Sequence, residues 1–156
     1  MQIPAELVVF RIDEQRYALP LERVERIVRA VHVTRLPNAP RNVLGVIDIE
    51  GRIVPVLDIR RRFHLEQRPI RARDHFLIAT THHRNVILVI DEALGLTRAC
   101  GQATEVSAMV PEVDQIKGAV TLSDGLLLIQ DLEKFLSPED EMALDQALQE
   151  GILDET

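Results

Sequence analysis

A duplicated β-hairpin pattern constrains the fold of this chain more than any other feature of its sequence. The first copy runs from Gly45 to Phe63 and reads GVIDIEGRIVPVLDIRRRF, two apolar runs of strand length separated by a short turn at Glu50, Gly51 and Arg52. Glycine tolerates a positive φ at the turn, and the β-branched residues on either side suit a pleated surface. The stretch therefore predicts a β-hairpin.

Two residues define how this hairpin ends. Pro55 donates no backbone N–H, so the second strand is predicted to lie at a sheet edge or to carry a bulge. Asp58 stands where a helix N-cap would stand, directly ahead of Ile59 to Phe63. A short helical turn is therefore predicted after the hairpin.

The second copy begins 73 positions later and runs from Gly118 to Phe135 as GAVTLSDGLLLIQDLEKF. Its first glycine matches Gly45, and both copies reach an aspartate 13 positions further on, at Asp58 and Asp131. Segments of this length seldom agree at so many positions by chance, and a repeat of this kind decides the architecture. The chain is predicted to contain two related β units.

Composition favours a β-rich core and limits the classes of partner. Of the 156 residues, 46% are apolar but only 3% are aromatic, so Val, Ile and Leu must fill the core. The net charge of −7 argues against non-specific binding to nucleic acid or to an anionic membrane surface. We expect no nucleic-acid partner.

The sequence also predicts a compartment. Cys100 is the only cysteine, which excludes an internal disulfide and favours a reducing environment. No apolar run approaches the roughly 18 residues of a membrane span, and the first residues lack the pattern of a signal peptide. We expect a cytoplasmic protein without direct membrane insertion.

The first third of the chain contains further predicted elements. Leu7 to Ile12 is a predicted strand that forms a hairpin with residues 17–20. The apolar spacing from Leu21 to Ala30 predicts a short amphipathic helix, although its β-branched end could equally begin a strand. Val31 to Leu36 alternates as a strand would.

The second half of the chain opens after a polar linker, residues 66–73. Residues 76–79 and 86–90 are predicted strands joined by a turn at residues 82–85. Gly95 and Gly101 are expected to flank a bend. Residues 105–111 fit either a strand or a loop.

A closing helix is predicted over residues 137–150. Ser137 is a favourable N-cap, proline follows at the first helical position, and acidic residues fill the first turn. Met142, Leu144 and Leu148 form an apolar stripe. The stripe favours a helix that docks on the β units over a partner-binding tail, which is the alternative.

A search for catalytic or metal-binding motifs finds no phosphate loop, cysteine pair, zinc motif or nucleophile elbow. Adjacent histidines at His82 and His83 have no third ligand nearby in sequence, so a metal site is not predicted. Asp58 and Asp131 are interpreted as helix caps and not as a catalytic pair. Residues 60–62, three consecutive arginines, are interpreted as a solvated face that could alternatively meet an acidic partner.

The first hairpin resembles a known family. Its pattern G-V-I-x-x-x-G-x-I-V-P-V-x-D-[IL]-R, the preceding residues 36–40, the segment 86–96 and the end helix at residues 141–144 are similar to the CheW family of bacterial chemotaxis coupling proteins. The resemblance covers the chain from about Glu6 to Gln149. It implies a mainly β fold of two SH3-like five-stranded barrels, packed on each other with a hydrophobic seam, with short helices and a C-terminal helix.

The resemblance also implies a domain organisation. Residues 1–156 would form a single CheW-like domain. We assign residues 6–66 to the first barrel half, with strands that could cross over, residues 74–136 to the second half and residues 137–150 to the C-terminal helix.

The same resemblance implies a function. Members are non-catalytic adaptors without cofactor or metal, and they connect the regulatory domain of a CheA-type histidine kinase to the cytoplasmic tip of methyl-accepting chemotaxis receptors. The expected location is therefore the cytoplasm, at receptor arrays on the inner membrane. The alternatives are an adaptor of a non-flagellar chemosensory system with surface motility or a second messenger as output, and a small-ligand-binding β-barrel or enzyme.

The chain departs from the family pattern at two charged positions. The family usually has Arg before the turn glycine, where this chain has Glu50, and Glu where this chain has Arg26. The two side chains are expected to be neighbours beside the receptor-binding groove with their signs exchanged, which implies a dedicated set of receptors. The receptor-binding candidates are Val24, Arg26, Ile27 and Glu50. Kinase contacts are expected among apolar residues near the hairpin ends, without individual assignment.

The periodicity of the strands finally predicts a core. Inward-facing positions should be buried, and each should cost about 2–4 kcal/mol on truncation to alanine. They are Val9, Ile12, Val24, Ile47, Ile49, Val54, Val56, Ile78, Val86, Leu88, Val120, Leu127 and Ile129.

Overall fold

The computed structural model of the chain describes residues 6–98, 116–122 and 125–154. Its strands are β1 Glu6–Ile12, β2 Gln15–Pro20, β3 Val24–Arg29, β4 Val43–Ile49, β5 Arg52–Leu57, β6 His75–Thr80, β7 Asn85–Ile90, β8 Glu92–Arg98, β9 Ile116–Leu122 and β10 Gly125–Gln130. Two α-helices, α1 Ile59–Arg62 and α2 Pro138–Asp154, and two 3₁₀ turns, Leu21–Arg23 and Leu132–Lys134, complete the described elements.

The strands form two five-stranded sheets of the same design. The first sheet has the order β8-β1-β2-β10-β9 and the second sheet the order β3-β6-β7-β5-β4. In each sheet the second strand of a repeat hairpin, β10 or β5, runs parallel to an inner strand, β2 or β7, while all other neighbours are antiparallel. The mainly β, two-sheet prediction is confirmed.

Strands cross over between the predicted halves, residues 6–66 and 74–136, as the prediction allowed. β1 and β2 lie in the first of these segments but pair with strands of the second, β1 with β8 and β2 with β10. Parallel neighbours cannot be joined by a tight turn, and β10 has its parallel neighbour, β2, near the other end of the chain. The second sheet is therefore continuous in sequence, whereas the first is assembled from both ends.

Both repeat hairpins form as predicted and end in the same way. β4 pairs with β5 and β9 with β10. Asp58 accepts a hydrogen bond from the Arg61 backbone N–H at 3.1 Å and caps α1. Asp131 accepts one from the Glu133 backbone N–H at 3.2 Å and caps the following 3₁₀ turn. Both aspartates thus act as caps, as predicted.

The prediction for Pro55 was wrong in its placement. β5 lies between β7 and β4, so it is not an edge strand, and the irregularity in the β4–β5 pairing lies between Val43 and Gly45. Pro55 pairs with Val46 of β4, whereas the pairing with β7 begins only at Val56. The proline is tolerated because β7 has no ladder partner at this position.

Alternation along the strands produces three apolar cores. On β1, Leu7 and Val9 face a core within the first sheet, while Val8, Phe10 and Ile12 face the other side. A second small core lies within the second sheet, around Val54, Val56, Phe76 and Ile78. The largest core lies between the sheets and contains residues of both. Because inner strands bury both faces, the predicted hydrophobic seam between two β units is present.

The core prediction is confirmed at every position whose side chain is described, with one exception. Val24 is half-buried and packs at the margin of the shared core. Val120 belongs to the residues whose side chains are not described.

Two elements of the first third were predicted wrongly. The helix expected from Leu21 to Ala30 is a single 3₁₀ turn followed by β3, because the β-branched residues of this segment pair with β6. This outcome agrees with the alternative that the segment begins a strand. Residues 31–36 do not form a strand, since their only bridge is Thr34 to Val46 of β4.

The remaining hairpins and the final helix agree with prediction. β1 pairs with β2, and β6 with β7. Gly95 does not begin a bend but lies within β8 at φ +113°. Gly101, Cys100 and residues 105–111 lie outside the described residues.

Helix α2 docks on the sheets. Ser137 Oγ accepts the Asp140 backbone N–H at 3.0 Å, as the N-cap prediction requires. Leu144 and Ala147 are buried in the shared core. Met142, counted in the predicted apolar stripe, is instead exposed.

Candidate functional site

The turn of the β4–β5 hairpin carries the first candidate residue in a restricted backbone conformation. Glu50 has φ +52° and Gly51 has φ +87°, so both residues of this two-residue turn are left-handed. Such turns match the twist of a hairpin and favour Asn, Asp and Gly. The Gly51 backbone N–H donates to Asp48 Oδ1 at 2.8 Å and fixes the turn. Glu50 is thus held outward at the tip.

The two charged candidates meet as expected. The Arg26 guanidinium lies 3.4 Å from Glu50 Oε1, with 40% of the Arg26 side chain and 76% of the Glu50 side chain exposed. β3 and β4 are opposite edges of the second sheet. The contact therefore shows that the sheet curls until its edge strand reaches the far hairpin. An exposed pair of this kind adds only about 0–1 kcal/mol to folding.

The two apolar candidates occupy a different environment. Val24 and Ile27 are half-buried and pack against the core that the two sheets share, and Val28 packs against the core of the second sheet. The structure therefore places Val24 and Ile27 on the seam side of β3. Ile27 therefore faces the opposite side of β3 from its neighbour Arg26.

Sequence reasoning missed a second ion pair at the same place. Arg52 lies 2.9 Å from Glu25 Oε1, and Glu25 Oε2 also accepts from Asn85 Nδ2 at 3.4 Å. The signal was present in the sequence as two opposed charge patterns, Glu25-Arg26 and Glu50-Gly51-Arg52. These charge patterns could not predict the ion pair without the knowledge that β3 faces this turn.

A groove on the second sheet is a further exposed feature. Its volume is about 540 Å³. It is lined by residues 30–33, Leu44, residues 57–60, residues 67–72 and Val89. Val31 is 57% exposed and Leu44 is also exposed. A wide groove with exposed aliphatic side chains on a folded chain is typical of a protein-binding surface.

Gly45 allows one wall of this groove to form. A Cβ atom at Gly45 would lie 2.3 Å from the Thr34 carbonyl oxygen and 2.7 Å from Val33. Only glycine lets the segment at residues 30–36 lie flat on β4. The first residue of the duplicated pattern is thus fixed by close approach of two backbone segments.

Ion pairs stabilise the other wall of the groove. Arg68 binds Asp74 at 2.8 Å and Asp91 at 2.7 Å, and Arg60 binds Asp13 at 2.7 Å. Arg60 was predicted to lie on a solvated face. It is instead largely buried against Asp13, because the first sheet lies over α1, which local sequence does not reveal.

These contacts lower the pKa of two carboxyl groups, those of Asp13 and Asp74. The hydrogen bond from Arg60 lowers the pKa of Asp13. Burial opposes ionisation of Asp74, yet the hydrogen bonds from Arg68 and from the Arg71 backbone N–H outweigh it and lower the pKa of that carboxyl. Both aspartates are therefore ionised around neutral pH, and the wall is held by charge-assisted hydrogen bonds.

The described residues offer no metal centre. Within residues 6–98, 116–122 and 125–154, no three His, Cys, Asp or Glu side chains are grouped to bind a metal ion. His82 Nε2 faces Arg23 at 3.2 Å, a cationic neighbour that would repel a metal. In the same ranges, no helix has both the length and the apolar character to cross a membrane.

Two curled sheets with filled interiors, an exposed aliphatic groove and a charged hairpin tip define a small β scaffold that presents surfaces to other proteins. Residues 6–140 match the model of the CheW-like domain family. The chain therefore belongs to the CheW-like family, whose members are non-catalytic scaffolding adaptors of chemotaxis.

Individual relatives agree with this assignment. The chain is 28% identical over 142 residues to a chemotaxis protein CheW of Klebsiella aerogenes, with 89% of this chain and 85% of that protein covered. It is 25% identical over 145 residues to a chemotaxis protein CheW of Treponema pallidum, with 86% and 84% covered. The crystal structure of the scaffolding protein TtCheW from Thermoanaerobacter tengcongensis matches with a TM-score of 0.77 at 23% identity, covering 90% of this chain and 92% of that one. The last match establishes the shared fold.

Proposed function

We propose that this protein couples the regulatory domain of a CheA-type histidine kinase to the cytoplasmic tip of methyl-accepting chemotaxis receptors. The observation that carries the proposal is the presence of two chemically different exposed surfaces on a CheW-like fold. One is the charged tip at Arg26 and Glu50, and the other is the aliphatic groove at Val31 and Leu44. The protein works in the cytoplasm at receptor arrays, without catalysis and without a cofactor.

The receptor surface is formed by Val24, Arg26, Ile27 and Glu50. The half-buried Val24 and Ile27 supply apolar area on one face of β3, and the Arg26–Glu50 pair supplies charge at the hairpin tip. A receptor helix hairpin with matching charge is attracted, and one with the opposite pattern is repelled. The exchanged signs at these positions select the receptors that this adaptor serves.

The kinase surface is the groove. Val31 and Leu44 are exposed, and both line the groove. Exposed aliphatic side chains along a wide groove offer apolar contacts to another β domain. The kinase regulatory domain binds there, whereas the receptor binds at the hairpin tip.

Separate surfaces predict that the two activities can be lost one at a time. Leu44→Asp should weaken binding of the kinase regulatory domain at least tenfold and leave receptor binding within about twofold, because it desolvates a charge at an apolar contact. Arg26→Glu should weaken receptor binding at least tenfold and leave kinase binding within about twofold, because it places a like charge beside Glu50. Isothermal titration with each purified partner measures both affinities. Met142→Asp, an exposed apolar position on α2, is the matched control.

The exchange itself is tested by a double-mutant cycle. Arg26→Glu combined with Glu50→Arg should restore the fold and shift preference towards receptors of adaptors that carry the usual signs. A coupling energy of zero between the two positions would show that the pair has no part in receptor choice. Absence of kinase and receptor binding by the unmodified protein would contradict the proposed function as a whole.

A further inference from the structure

A β-bulge on β3 brings two neighbouring charged residues to one place. Val24 pairs with Ala79 and Arg26 with Ile78, so Glu25 is an extra residue in the ladder. In a regular strand, adjacent side chains point to opposite faces, and Glu25 and Arg26 could not both reach one turn. A bulge redirects side chains and is common beside functional sites. Here it lets both residues contact the β4–β5 turn.

The result is a quartet of charges, Glu25, Arg26, Glu50 and Arg52, in two ion pairs. Glu25 binds Arg52 at 2.9 Å, and Arg26 binds Glu50 at 3.4 Å. Each segment carries one acidic and one basic residue, Glu25 and Arg26 on β3 and Glu50 and Arg52 at the turn. Each arginine therefore has one carboxylate nearby on its own segment and pairs with the carboxylate of the other segment. The Glu25 contact also extends to Asn85 at the start of β7, which fixes the carboxylate that orients Arg52.

The outer side of the quartet is open to a partner. Within the described residues, Glu50 has one carboxylate oxygen without a hydrogen bond, and Arg52 donates only through one terminal nitrogen. The side chains are 76% and 49% exposed.

The spacing of these two groups matches a helix. Glu50 and Arg52 flank Gly51, so their α-carbons are at most about 7.6 Å apart, given ~3.8 Å between successive α-carbons. Residues three or four apart on a helix have β-carbons about 5–6 Å apart. A helix with a basic and an acidic side chain one turn apart could therefore pair with Glu50 and Arg52 at the same time.

We propose that Glu25 and Arg52 are specificity-determining residues of the receptor surface, and that this adaptor recognises a receptor helix carrying a basic and an acidic residue one helical turn apart. The basic residue faces Glu50 and the acidic residue faces Arg52. Glu25 acts as a positioning residue because it holds Arg52. This inference rests on the proposed receptor-binding function and adds the charge pattern of the partner.

The test uses the full-length chain and the cytoplasmic tip fragment of a methyl-accepting receptor from the same organism. Arg52→Gln should weaken binding about tenfold, as expected when one charged contact of an interface is lost. Glu25→Gln should weaken it less, about threefold. Both losses should shrink as salt rises, since exposed charges are screened. Glu92→Gln, which removes a carboxylate 3.3 Å from Arg11 on the first sheet, is the matched control and should change nothing.

A charge-exchanged variant provides the decisive measurement. Glu25→Arg with Arg52→Glu retains an ion pair and keeps the fold, which circular dichroism and the melting temperature verify. It should bind the native fragment at least tenfold more weakly and recover affinity for a fragment in which only the acidic residue, the one that faces position 52, is replaced by lysine, because Glu50 still requires the basic residue.

The possible failures are distinguishable. If the unmodified protein does not bind the receptor fragment, the proposed function fails. If it binds, but Arg52→Gln and the exchanged variant bind within twofold of it, the receptor-binding function survives and the assignment of Glu25 and Arg52 is wrong.

Discussion

Positions 60 and 133 are equivalent in the two hairpins, two residues after the capping aspartates Asp58 and Asp131, yet one is arginine and the other glutamate. Both side chains leave a helical turn that follows one sheet and contact the hairpin turn of the other sheet. The two repeats therefore contact the opposite sheet at equivalent positions but with side chains of opposite charge.

The two contacts differ in strength as well as in sign. Arg60 lies 2.7 Å from Asp13 in the β1–β2 turn and 3.4 Å from Asp91, and only 12% of its side chain is exposed. Glu133 accepts the His82 backbone N–H in the β6–β7 turn at 3.1 Å, with 28% of its side chain exposed. The first contact belongs to an ion-pair network around the buried Asp91, whereas the second is a hydrogen bond at the surface beside a longer ion pair with Arg23 at 3.6 Å.

The comparison teaches that duplication preserves where the sheets touch and not which groups touch. Each hairpin must contact the opposite sheet, because the side chains of the shared apolar core pack closely only when the two sheets keep their relative position. Either sign of charge can do this if the partner on the opposite sheet complements it. The predictions that follow test how far the equivalence extends.

The largest effect is expected at position 60. Arg60→Met should lower the free energy of unfolding by about 3 kcal/mol, because it leaves Asp13 and the buried Asp91 without one of their cations. Urea unfolding followed by circular dichroism measures the loss. A loss below about 1 kcal/mol would show that Arg68 alone neutralises this cluster.

A comparable loss is expected from the cores, and there the two sheets should behave alike. Val56 and Ile129 occupy equivalent repeat positions with 0% and 1% exposure. Truncating either to alanine should cost about 2–4 kcal/mol. A large difference, with one variant near the stability of the unmodified protein, would mean that one sheet contributes little to the cooperative unit. Ile53→Ala, an exposed position on β5, is the control.

Acid should weaken the network around Arg60 and Arg68. The folded-state pKa of Asp74 lies below its ordinary value of 3.8, so its contribution to stability is present above about pH 4 and is lost as the pH falls through the lowered pKa. The difference in unfolding free energy between the unmodified protein and Asp74→Asn should therefore narrow as the pH is lowered from 7 to 3. A difference that stays constant over this range would contradict the role of the ionised carboxylate.

The smallest effect is expected at position 133. Glu133→Met should cost about 1 kcal/mol, because water can replace the lost acceptor at an exposed turn. The same replacement at the equivalent position thus gives a matched pair with Arg60→Met. Equal losses in the two variants would show that burial of the charges is unimportant.

Much of the local structure was predictable from the sequence. The two repeat hairpins, the caps at Asp58 and Asp131 and the start of α2 at Ser137 depend on residues within a few positions of each other. The segment from Leu21 to Ala30 was not predictable in the same way. Its apolar spacing fits a helix, and the segment becomes a strand only because it pairs with β6.

The candidate site was predictable only in part. Resemblance to the family placed Arg26 beside Glu50, and the two side chains are in contact. Glu25 and Arg52 escaped notice because the bulge on β3 depends on pairing with another strand. The groove was also unforeseen, since residues 30–33 and 67–72 meet there only after the chain has folded.

The sequence by itself determined the repeat unit, because turn residues, strand alternation and caps act between near neighbours and are written in local order. Only the tertiary structure decided that β1 pairs with β8 and β2 with β10, that Arg60 is buried against the opposite sheet, and that two ion pairs meet at one hairpin tip. Each of these contacts joins residues far apart in the chain. Their energy depends on distance and burial in the folded state, which a linear pattern does not contain.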